Sequence, residues 1–424
     1  MPFSNPSFGA VSMADTAFAR CLLLDVFAAA LRAVEGRAVV GQALVARPPE
    51  GPVWICAIGK AAQSMALGAC DALGSGLVGG LLITKPGHLD PAPFAGRGIE
   101  CLLGGHPVPD AGSLAAGQRL LCALGELRSQ TEVLFLLSGG ASSLVEVPVA
   151  GLDLADLRRM NRWLLGSGLP IDAVNRVRKS VSRIKGGGLL SALGDRPTRV
   201  LAISDVPGDD PGVIGSGLLV PEVGLAEGIA RLDLPAWLSD WVERGLTERG
   251  PLPRPGPCVE LVATLDTAKA AAAEAGRRAG LAVRVEAQPL EGDAVLAGRR
   301  LARALLAGPP GLSIAGGETT LRLPDAPGRG GRNQHLALAA AIELAGHADA
   351  ALLSAGTDGT DGPTEDAGAL VDGATLERIR DAGLDAAHGL RHADSGRLLE
   401  ASGDLIRTGP TGTNVMDLIL GWRG

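Results

Sequence analysis

The stretch "VWICAIGKAAQSMALGACDALGSGLVGGLLIT", residues 53–84, decides the fold. Its first six residues are an unbroken apolar run. "KAAQSMALGACDAL" then spaces its apolar residues at the helical period, and "GGLLIT" is apolar again. Strand, helix and strand in that order make a right-handed β-α-β unit with parallel strands. Runs this apolar suit strands covered on both faces. The alternation continues outward: "IECLL", "EVLFLL" and "RVLAI" read as strands, "AAGQRLLCALGELR" and "DAVNRVRKSVSRI" as helices. The prediction is an α/β fold with a mostly parallel sheet. Within the quoted stretch "GSGLVG" (74–79) matches G-x-G-x-x-G. It follows a helix and precedes a strand, the reverse of the dinucleotide-binding context, and so reads as a turn.

The turn-rich run "ERGPLPRPGPC" (248–258) interrupts this pattern and predicts a domain boundary. A second alternating series follows, from "VELVAT" and "TAKAAAAEAGRRAG" through "LSIAGG", "TTLRL" and "NQHLALAAAIELAG" to "AALLSAG". The expected division is an N-terminal domain over 17–250 and a C-terminal α/β domain over 257–424. A chain of 424 residues has room for two domains.

Composition narrows the function. The net charge of −7 offers no basic face to nucleic acid or an anionic membrane, so any anionic substrate must meet local Lys and Arg clusters. No run reaches the ~18 apolar residues of a membrane span. The opening "MPFSNPSFGAVSMADTAFAR" lacks a basic start and a clean apolar core, so a cytoplasmic protein without a signal peptide is expected. The six cysteines show no C-x-x-C spacing and read as buried thiols, neither zinc ligands nor disulfides. The six histidines are scattered, and the absence of Tyr excludes a Tyr-based catalytic acid.

In open α/β sheets ligands bind beyond the carboxyl ends of the strands. Here those ends are polar or Gly-rich: Gly59-Lys60, then Lys85 to His88, Gly104-Gly105-His106, Ser138-Gly139-Gly140-Ala141-Ser142-Ser143, and Ser204-Asp205. In the second series they are Gly316-Gly317-Glu318-Thr319 and "AGTDGTDGP" with Asp358 and Asp361. A Ser-Gly-Gly turn opening a helix frees N–H groups for a phosphate or carboxylate, and Ser138, Ser142 and Ser143 add hydroxyl donors. A tight turn needing positive φ is the structural alternative. "VNRVRKSVSRIKGGG" sets Arg176, Arg178, Lys179, Arg183 and Lys185 on one helix and its exit, with Arg176, Lys179 and Arg183 roughly on one side. That is either a solvated basic face or an anion clamp, and Gly186-Gly187-Gly188 would let the chain approach a ligand. "GRGGRNQH" offers Arg329 and Arg332 before a helix starting near Asn333. Lys60 opens a helix, where a cation opposes the dipole at ~0.3–1 kcal/mol, which favours a functional reading.

"ISDVPGDDPGVIGSG" (203–217) crowds Asp205, Asp209 and Asp210 at a strand end. Asp residues build turns by themselves. Beside the basic loops, Mg²⁺ bridging carboxylates and substrate phosphates is the leading reading. No Walker A loop is present, since Gly59-Lys60 is followed by Ala61.

With these segments assembled, the chain from about residue 17 onward resembles the class II glycerate kinases, glycerate 2-kinases with a C-terminal leucine-rich fragment domain. The resemblance rests on "GKAAQSMA", "GGHPVPDAGS", "LSGGASSL", "VRKSVSRIKGGG", "SDVPGDDPGVIGSG", "GGETT", "GRGGRNQ", "AGTDGTDGPTEDAG" and "TGPTGTNVMDL". It implies a Rossmann-like N-terminal domain, a C-terminal α/β domain with a mixed sheet, and an active site in the cleft between them. It also implies phosphorylation of D-glycerate to 2-phosphoglycerate with ATP and Mg²⁺. Relatives also carry the name hydroxypyruvate reductase, often beside tartrate degradation genes, which makes an NAD(P)H-dependent reductase the alternative. A metabolite sensor that binds ATP without turnover is a further one.

Carried onto this chain, the resemblance makes Lys60 the leading catalytic lysine, and the Asp205 loop and the Asp358 region the acidic centre. The expected roles are Asp205 and Asp209 for the metal, Arg332 for the transferring phosphoryl group, and Asp358 for the hydroxyl proton. Ser138, Gly139, Gly140 and Ser142 would cradle an anion, and Arg178 and Lys185 would hold the glycerate carboxylate. Gly317, Glu318, Arg329 and Asn333 complete the binding set. Partners would be small molecules, with a homodimer left open. Ser180, His335 and Leu218 stand where the family usually has His, Glu and Pro; the first puts the choice of hydroxy acid in question.

Overall fold

The computed structural model describes residues 13–249 and 255–424. The first twelve residues, where most of the signal-peptide reading falls, and residues 250–254 of the linker lie outside the described residues.

The helices that matter here are α1 (Met13–Ala33), α2 (Gly36–Ala46), α3 (Ala62–Leu73), α4 (Ala111–Glu126), α5 (Ala141–Leu144), α6 (Leu154–Gly166), α7 (Ile171–Ser180) and α8 (Ala236–Arg249). Beyond the linker come α9 (Leu265–Arg278), α10 (Ala294–Ala307) and α11 (Arg332–Leu344).

One compact unit comprises Val34–Thr264 together with Gly412–Val415. Its strands are β1 (Val53–Ile58), β2 (Leu77–Thr84), β3 (Ile99–Leu103), β4 (Glu132–Leu137), β5 (Thr198–Ile203) and β6 (Val259–Ala263). They form one sheet in the order β3-β2-β1-β4-β5-β6, every pair parallel. All six residues of β1 are buried, as two-sided cover requires. Asp110 starts α4 with a capping box: its carboxylate accepts the Ser113 N–H at 2.9 Å, and Ser113 Oγ accepts the Asp110 N–H at 3.1 Å. A second, smaller core joins α6, α7 and α8 through Leu157, Met160, Val177, Leu238 and Val242.

The other unit comprises the α1 end of the chain, Leu265–Thr411 and Met416–Gly424. Its strands are β7 (Val283–Val285), β8 (Gly311–Gly317), β9 (Ala350–Gly356), β10 (Gly368–Asp372), β11 (Leu405–Ile406) and β12 (Asp417–Arg423), in the order β11-β10-β9-β12-β8-β7. Only β7 and β8 pair in parallel, so the sheet is mixed. Arg20 of α1 is pinned by Asp372 at 2.6 Å and Asp404 at 2.8 Å, which holds this N-terminal helix in the second unit.

Several details differ from the sequence reading. The apolar run after the linker is one more strand of the first sheet, because β6 pairs with β5. The change of unit therefore follows Thr264, not the Pro-rich run. "TTLRL" is loop, and α7 ends at Ser180, leaving Arg183 beyond the helix. Only Cys56 and Cys70 are fully buried; Cys21, Cys122 and Cys258 are exposed.

Candidate active site

The strand order of the first sheet reverses between β1 and β4, so the crevice of a doubly wound sheet falls between their carboxyl ends. The loops after these two strands are locked together. Lys60 N–H donates to the Gly139 carbonyl at 2.9 Å, and Ala61 N–H to Ser138 Oγ at 3.1 Å. Gly59 has φ +133°, and any Cβ there would collide with Ser138. Gly140 has φ +85°, and a Cβ on it would stand 3.4 Å from Lys60 Cγ and from the His106 ring. Lys60, Gly140 and His106 thus meet at the switch point. Among the described residues neither the Gly139 nor the Gly140 N–H finds a protein acceptor. His106 Nδ1 lies 2.9 Å from Ser143 Oγ, and the Ser142 and Ser216 hydroxyls are hydrogen-bonded.

The acid loop after β5 divides its three carboxylates among different tasks. Asp205 presses on Gly139, where a Cβ would collide with both Asp205 and Asn414. Its Oδ2 accepts the Asn414 amide at 2.9 Å. Asp209 sits at φ +55°, uncommon for a non-glycine, and its buried Oδ1 has no hydrogen-bond partner among the described residues. Asp210 is a turn former whose Oδ1 accepts the Gly212 N–H at 2.8 Å. Among the described residues no group of three or more His, Cys, Asp or Glu could hold a metal. Mg²⁺ asks for less, one or two carboxylates plus substrate phosphates, and the unpartnered oxygen of Asp209 suits that donor set.

The basic segment is largely committed to protein contacts. Lys179 is ion-paired with Glu222 and donates to the Gly212 carbonyl at 2.9 Å, and Arg176 reaches the same Glu222 at 3.2 Å. These two cations brace the acid loop, and they hold the Glu222 carboxyl below its ordinary range against the upward push of burial. The glycine triplet serves the same bracing: Gly186 and Gly187 N–H donate to the Ser216 and Gly217 carbonyls at 2.9 and 2.7 Å. Arg183 is exposed. Lys185 forms a buried ion pair with Glu146, whose other oxygen accepts the Ser182 hydroxyl at 2.5 Å. Arg178 donates Nε–H to Asn161 Oδ1 at 2.9 Å and pairs with no carboxylate among the described residues. Burial pulls its guanidinium pKa down. Ser180 is buried and bonds its hydroxyl to the Val177 carbonyl of its own helix turn.

Ser142, Arg178 and Lys185 come together in one cavity of about 390 Å³ in this unit. The turn at Pro107, Val108 and Pro109, the side chains of Ser143 and Glu146, and Leu157, Met160, Asn161 and Leu165 of α6 complete its wall.

In the second unit the strand-end residues form their own cluster. Arg332 grips Asp417 with Nε at 2.6 Å and Nη2 at 3.0 Å, and Glu318 with Nη1 at 2.5 Å. These carboxylates outweigh burial and raise its pKa. Asn333 is an internal strut, its amide accepting from Ser354 Oγ at 2.7 Å. Asp361 caps α11 by accepting the Asn333 and Gln334 N–H groups at 3.0 and 2.8 Å. Burial pushes its carboxyl up to about 7 in spite of those donors. Asp358 is buried and accepts both the N–H and hydroxyl of Thr360, at 2.9 and 3.0 Å. Gly317 passes close to the Leu290 backbone, where a Cβ would collide. Arg329 pairs with Glu400 at 2.9 Å, on the surface. Sequence reasoning named His106 at a strand end without giving it a role and passed over Asn414 and Asp417; "GGHPVPDAGS" and "TGPTGTNVMDL" were the signals that held them.

Residues 22–232 match the "Domain of unknown function (DUF4147)" and residues 311–417 the "MOFRL family". The D-glycerate 2-kinase of Thermotoga maritima is 37% identical over 87% of this chain and 90% of its own length. An Agrobacterium vitis protein named for hydroxypyruvate reductase is 38% identical over 94% of this chain and 93% of its own. The crystal structure of a Thermotoga maritima glycerate kinase matches with a TM-score of 0.84 at 34% identity, covering 96% of this chain and all (100%) of that one. The chain belongs to the glycerate kinase family of the MOFRL type, a family of kinases.

Proposed function

We propose that the protein transfers the terminal phosphoryl group of ATP to the 2-hydroxyl of D-glycerate, giving 2-phosphoglycerate and ADP, with Mg²⁺ as counter-ion. The observation that carries this reading is the meeting of Lys60 with the open Gly139 and Gly140 N–H groups, beside Asp205, at the switch point. Phosphoryl transfer asks the protein mainly for positioning and charge neutralisation. In the proposal the Gly139 and Gly140 N–H groups take phosphate oxygens, and Lys60 neutralises the group in transit. Asp205 and Asp209 hold the Mg²⁺, which when bound supplies further neutralisation of phosphate charge. Asn414 fixes the Asp205 carboxylate through its amide. Arg178 takes the glycerate carboxylate, while Lys185, already committed to Glu146, supports the pocket wall. Asp358 as proton acceptor and Arg332 as a second cation enter on the resemblance alone. The proposal sets the enzyme in the cytoplasm, on the sequence's lack of a signal-peptide pattern, and, on the same resemblance, beside tartrate degradation.

The Agrobacterium vitis relative's name favours a second reading, NAD(P)H-dependent reduction of hydroxypyruvate. Against it, "GSGLVG" joins the end of α3 to the start of β2, where no dinucleotide pyrophosphate would meet a helix N-terminus. Phosphorus NMR of protein with D-glycerate, ATP and Mg²⁺ tests the choice, with hydroxypyruvate and NADH in a parallel cuvette. A 2-phosphoglycerate signal lost on adding EDTA is expected. NADH consumption without a phosphorylated product would replace the kinase by the reductase.

A further inference from the structure

The cavity behind Ser142 and Ser143 is built asymmetrically. One side carries Arg178, Lys185, Glu146 and the two serine hydroxyls; the other is Leu157, Met160 and Leu165 with the Pro107–Pro109 turn. At about 390 Å³ it holds roughly thirteen waters at ~30 Å³ each, far more space than a three-carbon acid displaces. Its rim includes two large apolar side chains left in solvent, Leu165 at 76% and Val108 at 48% exposure. A short, fully hydroxylated acid gives such a rim nothing to cover. On the polar side Glu146 and Lys185 neutralise each other, both about 4% exposed. Among the described residues the Arg178 guanidinium spends only Nε, on Asn161, which leaves its outer fork for a planar anion.

From this asymmetry we infer that the cavity is the acceptor pocket, that the outer fork of Arg178 anchors the acceptor carboxylate, and that the Leu157–Met160–Leu165 wall admits 2-hydroxy acids longer than glycerate. The inference rests on the kinase reading above and adds the substrate class. Ser143 connects the pocket to the transfer site, since its Oγ meets His106, which flanks Gly140 beside Lys60. A carboxylate on Arg178 leaves the remaining carbons along the apolar wall, where the unbranched Met160 adjusts to chains of different length. Ser180 faces its own helix turn, so acceptor choice falls to the α6 wall. The reaction is the same for each acid. The 2-hydroxyl oxygen bonds to the terminal phosphorus of ATP as the bond from that phosphorus to the bridging oxygen breaks. ADP leaves with that electron pair, and the hydroxyl proton passes to a base.

The test uses the full chain with D-glycerate and the four-carbon 2-hydroxybutanoate, whose tail is apolar, measuring turnover with ATP and, separately, binding of each acid and of ATP by calorimetry. The wild type is expected to bind both acids and to turn them over with kcat/KM within about tenfold of each other. Arg178→Gln should weaken both acids by about tenfold to a hundredfold, with ATP affinity held and Arg178→Lys recovering part of the loss. Met160→Trp should lower the ratio of kcat/KM for 2-hydroxybutanoate to that for glycerate at least tenfold. Thermal melts of each variant identify any that fail to fold, and Leu165→Trp then replaces Met160→Trp. The inference is overturned if the wild type ignores 2-hydroxybutanoate, if the ratio stays put in the wall variants, or if Arg178→Gln weakens ATP instead of the acids. Acid binding that depends on Arg178, without phosphorylation of either acid, would overturn the kinase reading and keep the pocket.

Discussion

The Asn414 side-chain amide donates to Asp205 Oδ2 at 2.9 Å, although 209 residues separate them in the chain. The link exists because Gly412–Val415 belongs to the same compact unit as the parallel sheet, and the Gly412 carbonyl accepts the Gly36 N–H at 3.0 Å. If Asp205 helps hold Mg²⁺ as proposed, its remaining lone pairs need orienting, and the Asn414 amide supplies that orientation. Partners of this kind typically account for 10–100-fold in metal affinity or activity. Asn414→Ala is therefore expected to raise the Mg²⁺ concentration for half-maximal activity by that factor. Asn414→Asp should do worse by setting a like charge beside Asp205. A Mg²⁺ titration of turnover checks both; unchanged curves would remove Asp205 from the metal site.

Lys60 lies beside Gly140, after a glycine that admits no side chain against Ser138. If its ammonium neutralises charge that develops in transfer, its removal lowers kcat more than it raises KM. Loss of one such donor generally costs ~10²–10³ in kcat. Lys60→Ala is expected to show that loss with the KM for glycerate changed only slightly, and Lys60→Arg to recover a fraction. Steady-state kinetics of the two variants decide it, and near-normal turnover by Lys60→Ala would refute the assignment.

The strand-helix alternation and its polar edge were legible because they rest on local signals. Six-residue apolar runs such as "VWICAI" have few alternatives, and a glycine after a strand marks a turn whatever lies nearby. The partners of long side chains were not legible. Lys185 looks like a free cation until Glu146, 39 positions earlier, closes on it. Arg332 looks the same until Asp417, 85 positions later, takes two of its nitrogens. A sequence shows charge but not what neutralises it. Asn414 was overlooked for the converse reason: an amide near the chain end carries no charge to draw notice. The division into units was misplaced because a Pro-rich run marks a turn, and here one more strand of the first sheet follows it.

The Lys185–Glu146 pair makes a stability prediction independent of catalysis. Both side chains are about 5% exposed, so losing either leaves a buried charge without its partner. Breaking a buried pair from one side typically costs ~3–5 kcal/mol, whereas replacing both members by apolar groups of similar volume is often neutral or stabilising. Glu146→Leu and Lys185→Met are each expected to destabilise by about that amount, and the double variant by much less. Urea unfolding with a double-mutant cycle measures the coupling. Additive losses would mean that the pair contributes nothing beyond its separate contacts.

Asp361 gives the pH dependence its sign. Burial pushes its carboxyl from 3.8 up to about 7, against the pull of two N–H donors at the start of α11. Between those values the folded chain keeps a proton that the unfolded chain has released. The contribution is therefore fully present below pH ~4 and is lost as pH rises through about 7, at no more than ~1.4 kcal/mol per pH unit. Asp361→Asn cannot ionise, although it loses part of the helix cap and should be less stable at acid pH. Its destabilisation relative to wild type is expected to shrink from pH 4 to pH 7 as the wild type alone loses stability. Urea midpoints of both proteins across that range test the sign. A gap that widens with pH would mean that Asp361 is ionised in the folded protein and that its two N–H donors outweigh burial.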